Sequence, residues 1–234
     1  MPIDAVSFDL DDTLWNIGPV ILRAEHAMYD YLRERYPRVT DSHTLEDMRD
    51  RRARLALERP DMRHDFTWLR HESLRMHASA AGYPSSMAEE VFEVFFAARN
   101  AVELYSDVEP SLARLAERGL RMFVITNGNA DLARIGIAHF FEHIVHARHA
   151  GALKPAEAIF RHLLDRVGLD ARAVLHVGDD PLSDITGARR VGMQTAWINR
   201  HHAQWPDDHA MPDFVIEGLA ELDSALQSNP PEQA

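Results

Sequence analysis

The sequence contains no cysteine among its 234 residues. This absence excludes a thiol nucleophile, a disulfide framework and any metal site that needs cysteine ligands. Long apolar runs are also missing, because no stretch of about 18 apolar residues occurs and no basic segment followed by an apolar one opens the chain. We therefore expect a soluble, cytoplasmic protein without a membrane partner.

Positive charge is scarce as well. The 25 lysine and arginine residues face 37 aspartate and glutamate residues, which leaves a formal net charge of -12. The field of such a chain repels nucleic acids and anionic membrane surfaces, so we expect neither as a partner. A phosphorylated small molecule meets the same repulsion, and a site for one therefore needs a local cation.

What is present is the composition of an ordinary globular protein, with 46% apolar and 26% charged residues. The length allows one large domain, or a core domain that carries a smaller insertion. Whether the protein is a monomer or a homodimer is left open at this stage.

The first strand and the turn after it are the most informative stretch. An apolar, strand-like run ends there abruptly in three carboxylates and a hydroxyl, a costly cluster unless something cationic or reactive lies beside it. Open parallel sheets keep their active sites at such strand ends. The run spans residues 3–8, and the polar side chains are those of Asp9, Asp11, Asp12 and Thr13.

Residues 15–103 have a different character, with helical spacing and no convincing strand. Apolar side chains recur at steps of three and four, as at Val20, Ala24 and Met28. Prolines in polar neighbourhoods divide the stretch into about four helices. A basic run inside it is interpreted as a solvated helix face; its members are Arg49, Arg51, Arg52 and Arg54.

From Ser106 onward the chain alternates strands and helices. Repeated βα units predict a parallel sheet with helices on both faces, that is, an α/β fold whose strand order stays open. Near-continuous apolar runs predict buried strands at 120–126, 173–177 and 195–198, and weaker strands are expected at 143–146 and 213–216. Three helices are expected to open with a proline and to end before a glycine, namely Pro110 with Gly119, Pro155 with Gly168 and Pro181 with Gly192.

Polar signals follow the later strands as they follow the first. One strand ends in Thr126-Asn127-Gly128, another in Gly178-Asp179 with Asp184 five positions further on, and Lys154 precedes a proline between them. The carboxyl ends of strands in a doubly wound sheet share one edge, so we expect these residues to converge.

Four ordered motifs carry a resemblance to a known family. They are an Asp-x-Asp-x-Thr after the first strand, a Thr after an apolar strand, a Lys-Pro before a helix, and a Gly-Asp with a second Asp further on. This order resembles the haloacid dehalogenase superfamily, and the all-helical insertion after the first motif resembles the cap of its subfamily I. The resemblance implies a Rossmann-like, doubly wound core at 1–14 and 104–227 and an inserted helical cap at 15–103. Residues 228–234, polar and proline-rich, are expected to form a disordered tail.

The resemblance also implies a chemistry, namely a magnesium-dependent phosphatase that hydrolyses a small phosphorylated metabolite through an aspartyl-phosphate. Asp9 is the expected nucleophile, since it ends the strand where the backbone is held most rigidly. Asp11 is the expected acid and base, and Lys154 with a divalent cation cancels the repulsion between anions. Thr13 is expected to support the turn.

Binding roles are implied for the remaining motif residues. The Thr126 hydroxyl and the backbone amides of Asn127 and Gly128 are expected to hold the phosphoryl oxygens, together with Lys154. By the resemblance, the protein ligands of Mg²⁺ are the side chains of Asp9 and Asp179 and the carbonyl of Asp11, with Asp184 as a direct or supporting ligand.

Other functions stay open beside this one. A 2-haloacid dehalogenase shares the fold, but by the resemblance that branch needs no metal and usually lacks the second aspartate, so Asp11 argues against it. A phosphomutase with the same aspartyl-phosphate, or a non-catalytic phosphate-binding or regulatory module, is not excluded. A histidine metal site at His139, His143, His146 and His149 is disfavoured, because His143 and His146 are expected on a strand, where positions three apart face opposite sides.

Overall fold

The computed structural model describes residues 2–227, so the predicted tail at 228–234 lies outside the described residues. The described chain divides into two compact units. One consists of residues 2–16, 103–128 and 136–227, and the other of residues 17–102 and 129–135. The segment 129–135 thus groups with the helical residues, whereas its sequence position suggested the core. The assignment of the helical stretch as a cap stays a prediction.

The first unit is built on one parallel sheet of six strands, in the order β3-β2-β1-β4-β5-β6. This confirms the predicted Rossmann-like α/β core and supplies the strand order that the pattern left open. The first strand of the chain pairs with β2 on one side and β4 on the other, so its end lies in the middle of the sheet edge. The strands are β1 (Ala5–Phe8), β2 (Arg121–Thr126), β3 (His143–His146), β4 (Val174–Gly178), β5 (Gln194–Ile198) and β6 (Phe214–Ile216).

Burial explains why these segments are strands. All residues of β1 and β4 are buried, as expected for strands covered on both faces, while the edge strands β3 and β6 are partly exposed. In chain order the α-helices are α1 (Ile17–Arg35), α2 (Pro37–Thr40), α3 (Leu45–Glu58), α4 (Phe66–Ala80), α5 (Ser86–Asn100), α6 (Val108–Glu117), α7 (Leu132–Ile135), α8 (Ala147–Ala150), α9 (Glu157–Val167), α10 (Gly187–Arg190) and α11 (Leu222–Gln227). A π-helical turn spans Pro181–Thr186, and 3₁₀ turns span Ala138–Phe140, Ala171–Ala173 and Leu219–Glu221.

The predicted helix termini hold only in part. Gly168 ends α9 with a left-handed φ of 67°, which the absence of a Cβ allows at little cost. Pro181 opens a helical segment as predicted, but α6 begins two residues before Pro110 and α9 two residues after Pro155. The start of α6 was wrong because a proline is tolerated throughout the first helical turn, where backbone amides lack intrahelical partners. The start of α9 was wrong because Ala156, the residue after Pro155, is extended with a ψ of 134° and precedes the first helical residue.

The second unit buries the apolar faces of α1, α4 and α5 around one cluster that includes Met28, Leu74 and Phe95. Inside it, the carboxylate of Glu25 is 2% exposed and accepts hydrogen bonds from Arg49 and Arg52. Interpreting the arginine run as a solvated face was therefore wrong for those two residues, because a buried carboxylate needs paired charge. No helix within residues 2–227 is both long and apolar enough to cross a membrane.

Candidate active site

The predicted site residues of the sheet edge converge as expected. Asp9 directly follows β1 and is 7% exposed, with its amide donating to the Val177 carbonyl at 2.9 Å. Thr126 ends β2, and Asp179 follows the last residue of β4. Because β2, β1 and β4 are neighbours in the sheet, their carboxyl ends bring these three side chains to one place.

Lys154 supplies the local cation that the acidic chain needs. Its ammonium is buried and donates to Asp9 Oδ1 at 2.5 Å and to Asp184 Oδ1 at 2.6 Å. Desolvation would lower the pKa of Lys154, but the two carboxylates raise it above its ordinary value. The lysine therefore stays protonated and connects two other motifs, because it bonds to Asp9 of the first motif and to Asp184 of the last.

The side chain of Asn127 holds Lys154 in place. Its Oδ1 accepts from the Lys154 amide at 2.7 Å, and its Nδ2 donates to the Lys154 carbonyl at 3.2 Å. The sequence indicated only the backbone amide of Asn127 as a functional group. The amide of Gly128 was expected to hold a phosphoryl oxygen beside the Thr126 hydroxyl. In the structure this amide donates to Thr126 Oγ1 at 3.0 Å and so orients that hydroxyl.

Asp184 is anchored from three sides. Its Oδ1 lies 3.3 Å from His176 Nε2, and its Oδ2 accepts from the Asp180 amide at 3.0 Å. Burial would raise the pKa of Asp184, but the Lys154 ammonium and the hydrogen bond to His176 bring it below its ordinary value. The carboxylate is thus ionised in the fold. His176, whose Nδ1 lies 2.9 Å from Ser7 Oγ, was missed because nothing in an apolar strand marks a histidine as a site residue.

Gly178 allows Asp184 to approach. A Cβ at this position would overlap with Cγ of Asp184, which is a steric clash. The Gly-Asp motif therefore requires glycine at position 178. The turn that carries Asp184 is the π-helical segment Pro181–Thr186, which Asp180 caps by accepting from the amides of Leu182 and Ser183. Single π-helical turns are frequent at functional sites.

Three carboxylates here are arranged to hold a cation. Oxygens of Asp9, Asp179 and Asp184 lie within 4.8 Å of one another, and among the residues described they form the one such group of histidine or acidic side chains. Burial raises the pKa of Asp9 well above its ordinary value, with neighbouring carboxylates adding to the effect. Burial and Asp184 also raise the pKa of Asp179, to about 7. The three carboxylates repel one another when they are ionised, and a divalent cation bound between them would relieve that repulsion. Their oxygens are also the ligands that a hard divalent cation prefers.

Among residues 2–227, the one group of side chains with ligand atoms close enough to hold a metal ion contains no histidine. His143 and His146 both lie on β3, as the sequence predicted. His146 Nδ1 instead lies 3.2 Å from the Gly128 carbonyl.

A network around Thr13 supports Asp179. Thr13 Oγ1 donates to Asp179 Oδ1 at 3.1 Å, a contact outside the turn that Thr13 was predicted to support, and Trp197 Nε1 donates to the Asp179 carbonyl at 2.7 Å. Arg200 Nε donates to the Thr13 carbonyl at 3.0 Å. The contributions of Trp197 and Arg200 were not predicted, because these residues are far from the motifs in sequence.

Comparisons with known proteins agree with this geometry. A family model described as haloacid dehalogenase-like hydrolase matches residues 3–192. The chain is 31% identical over 231 residues to the 5-amino-6-(5-phospho-D-ribitylamino)uracil phosphatase YigB of Escherichia coli (strain K12), and the match covers 96% of each protein. It is 30% identical over 229 residues to the glyceraldehyde 3-phosphate phosphatase of Methanopyrus kandleri, covering 94% of this chain and 95% of that protein.

A solved structure is also similar over nearly the whole chain. The crystal structure of 2-haloacid dehalogenase from Pseudomonas syringae pv. Tomato DC3000 superposes with a TM-score of 0.91. It is 39% identical in sequence, and the match covers 96% of this chain and 98% of that one. Proteins named as phosphatases and a protein named as a dehalogenase therefore both resemble this chain. The choice between the two reactions depends on the residues of the site.

Proposed function

The chain belongs to the haloacid dehalogenase-like hydrolases, and we propose that it is a magnesium-dependent phosphatase acting on a small phosphorylated metabolite through an aspartyl-phosphate at Asp9. Its family and its phosphatase relatives make it a hydrolase of phosphate esters. One observation carries the finer proposal: a buried Asp9 bonded to Lys154 lies in the same turn as Asp11. That pairing offers a nucleophile and a proton donor two residues apart.

The first step transfers the phosphoryl group to the protein. A carboxylate oxygen of Asp9 forms a bond to phosphorus, and the bond from phosphorus to the ester oxygen breaks. Asp11 gives its proton to that departing oxygen, so the product leaves as an alcohol. Lys154 stabilises the negative charge that nucleophile and phosphoryl group bring together.

The second step restores the protein. A water molecule attacks phosphorus, Asp11 takes one of its protons, and the bond between phosphorus and Asp9 breaks. Inorganic phosphate leaves, Asp9 is again a carboxylate, and Asp11 again carries a proton. The Thr126 hydroxyl is proposed to hold a phosphoryl oxygen in both steps, oriented by the amide of Gly128.

The donor set described above supports magnesium as the cation. Asp9, Asp179 and Asp184 would hold it with their carboxylates, and Asp11 with its carbonyl by the family resemblance. When bound, Mg²⁺ supplies positive charge that lowers the repulsion between the carboxylate nucleophile and the phosphoryl group. Thr13 and Trp197 keep Asp179 oriented toward the same point.

Dehalogenation is the second candidate, favoured by the name of the 39% identical crystal structure. A carboxylate at position 11 argues for phosphate chemistry, because a halide leaves without needing a proton whereas an alkoxide needs one. A phosphomutase or a phosphate-binding module would use the same residues without releasing phosphate to water.

The experiment measures phosphate release from 4-nitrophenyl phosphate with magnesium and with a chelator, and halide release from 2-chloropropionate in parallel. We expect metal-dependent phosphate release and no halide release. Asp9→Asn abolishes both turnover and the labelled phosphoenzyme, while Asp11→Asn slows turnover. Asp4→Asn, which alters an exposed carboxylate at the opposite end of β1, serves as the matched control and keeps wild-type activity.

Other outcomes redirect the proposal. Halide release that depends on Asp9 would make the protein a dehalogenase. A labelled phosphoenzyme without phosphate release favours the mutase, and the absence of both favours a binding module. Near-normal activity of Asp9→Asn would disprove the nucleophile.

A further inference from the structure

The carboxylate of Asp11 is held by a buried tryptophan. Trp15 Nε1 donates to Asp11 Oδ1 at 2.9 Å, and the Trp15 side chain has no exposed surface. A buried indole needs a partner for its N–H, and here that partner is the residue to which the proposed function assigns proton transfer. The pair lies wholly within the sheet-bearing unit.

The backbone between the two residues makes this contact rigid. The chain turns back on itself, with the Asp12 amide donating to the Trp15 carbonyl at 2.8 Å and the Leu14 amide to the Leu10 carbonyl at 2.8 Å. Asp12 adopts a left-handed φ of 63°, a conformation that aspartate accepts more readily than most residues. Trp15 forms a further backbone bridge to Leu104, so the main chain that carries the indole is held on both sides.

We propose that Trp15 is a positioning residue for the proton transfers of Asp11. Its N–H fixes the plane of the Asp11 carboxyl group and keeps its own proton throughout, while the carboxyl proton passes to the leaving oxygen. Orientation of a reacting group reduces the entropy lost on reaching the transition state. The inference rests on the proposed phosphatase activity and adds to it a residue outside the four motifs.

The role predicts a dependence on the leaving group. 4-Nitrophenolate is a weak base and leaves phosphorus without a proton, whereas the alkoxide of glycerol is a strong base and leaves only when protonated. The quantity kcat/KM reports steps up to phosphoenzyme formation, so the later attack of water does not affect the comparison. Loss of Asp11 positioning therefore slows the alkyl ester more than the aryl ester.

The test compares Trp15→Phe with wild type on 4-nitrophenyl phosphate and on glycerol phosphate. We expect kcat/KM to fall about 10-fold or more on the alkyl ester and less than about 3-fold on the aryl ester. Combined with Asp11→Asn, the Trp15 substitution should cause no further loss on the alkyl ester, because the two residues act as a unit.

Trp197→Phe is the matched comparison, because it also removes one indole N–H from a buried tryptophan at the same edge of the sheet. Trp197 donates to the Asp179 carbonyl, so its loss should lower the rate on both esters by the same factor. Should Trp15→Phe fail to fold, replacement of Trp15 by 3-benzothienylalanine keeps the bicyclic shape and removes only the N–H.

The outcomes separate the inference from the function on which it rests. Equal losses on both esters, or no loss on the alkyl ester, would overturn the role of Trp15 while wild-type turnover and the Asp9→Asn defect stand. Absence of phosphate release from wild type, or an active Asp9→Asn variant, would instead remove the phosphatase premise.

Discussion

Single residues decide the electrostatics of this site. Asp9 and Asp184 share one ammonium, that of Lys154, and the Asp179 carboxylate lies beside them, so negative charge outweighs positive charge at the sheet edge. Burial and the unbalanced repulsion raise the pKa values of Asp9 and Asp179, whereas Asp184, with its direct bonds to Lys154 and His176, is held ionised. A bound cation would restore the ionised form of Asp9, which is the form that a nucleophile requires.

Gly178→Ala tests the packing of the Asp184 carboxyl group. The added Cβ collides with that group, so Asp184 must move and the cation ligands separate. We expect loss of metal-dependent turnover by at least about 100-fold, of the order seen when a precisely oriented group is displaced. Steady-state rates and magnesium titrations measure the effect.

The control for this substitution is Gly168→Ala, where a Cβ meets open space but φ is positive. It should cost about 1–2 kcal/mol of stability through backbone strain and leave turnover unchanged. Equal activity of the two variants would show that Asp184 does not need its present position.

Elements of the sheet-bearing unit are joined by Arg200, which follows β5. Its guanidinium pairs with both oxygens of Asp107, just before α6, and Asp107 Oδ2 also accepts from the Leu219 amide at 2.6 Å. The same guanidinium donates to the Thr13 carbonyl and lies 4.0 Å from the Tyr105 ring centroid. One side chain thus connects the turn of the first motif to α6 and to the chain after β5.

A double-mutant cycle of Arg200→Met and Asp107→Asn measures this connection. The pair is mostly buried and bidentate, so we expect a coupling free energy of about 1–3 kcal/mol in urea unfolding. The exposed pair Arg161 and Glu157 on α9 provides the comparison and should show a clearly smaller coupling. Indistinguishable couplings for the two pairs would contradict a structural role for Arg200.

The helical unit contains a buried histidine on α4, His77, which predicts acid sensitivity. Burial lowers its pKa to about 4, and the neighbouring His43 and Arg51 contribute, while Asp47 opposes the shift. In the unfolded chain the ordinary value is 6.5, so between those two pH values the unfolded state binds more protons. The stability that His77 contributes is therefore complete above pH 6.5 and is lost as the pH drops toward 4.

The slope from this one group is at most about 1.4 kcal/mol per pH unit. His77→Phe keeps an aromatic ring but cannot be protonated. The difference between its urea midpoints at about pH 7.5 and about pH 5 should therefore be smaller than that of wild type. His26→Phe, at an exposed position of α1, should keep the wild-type difference. An unchanged pH dependence of His77→Phe would mean that other groups cause the acid sensitivity.

At the scale of the whole molecule, a chain with a net charge of -12 places three of its carboxylates together at the sheet edge. Magnesium that binds only the folded protein stabilises it by mass action. At about 100 times the dissociation constant we expect the thermal midpoint to rise by roughly 5–10 °C for a chain of this size. Differential scanning fluorimetry with and without chelator measures the shift.

The aspartate ligands make this prediction specific. Asp179→Asn should lose most of the magnesium-dependent rise, whereas Asp4→Asn, remote from the sheet edge, should retain it. A rise of the same size in Asp179→Asn would place the stabilising ion elsewhere on the acidic surface.

Much of the fold and part of the site were predictable because their signals are local. Apolar runs predicted all six strands, with no strand bound shifted by more than two residues, and polar residues directly after β1, β2 and β4 indicated the edge where they converge. The arginine run was misjudged because the sequence does not show that Glu25, which pairs with Arg49 and Arg52, is buried. Helix starts near Pro110 and Pro155 were misplaced by two residues, because Pro110 lies inside the first turn of α6 whereas Pro155 lies before the extended residue that precedes α9.

By itself, the sequence determined the α/β class, the order of the four motifs and the identity of the residues that meet at the sheet edge, because periodicity and strand-end chemistry depend on near neighbours along the chain. Only the tertiary structure decided how those residues are held. Ser7 meets His176 across 169 positions, and the Thr13 carbonyl meets Arg200 across 187. Such contacts follow from strand order and packing, and no local pattern encodes which distant side chain completes a hydrogen bond.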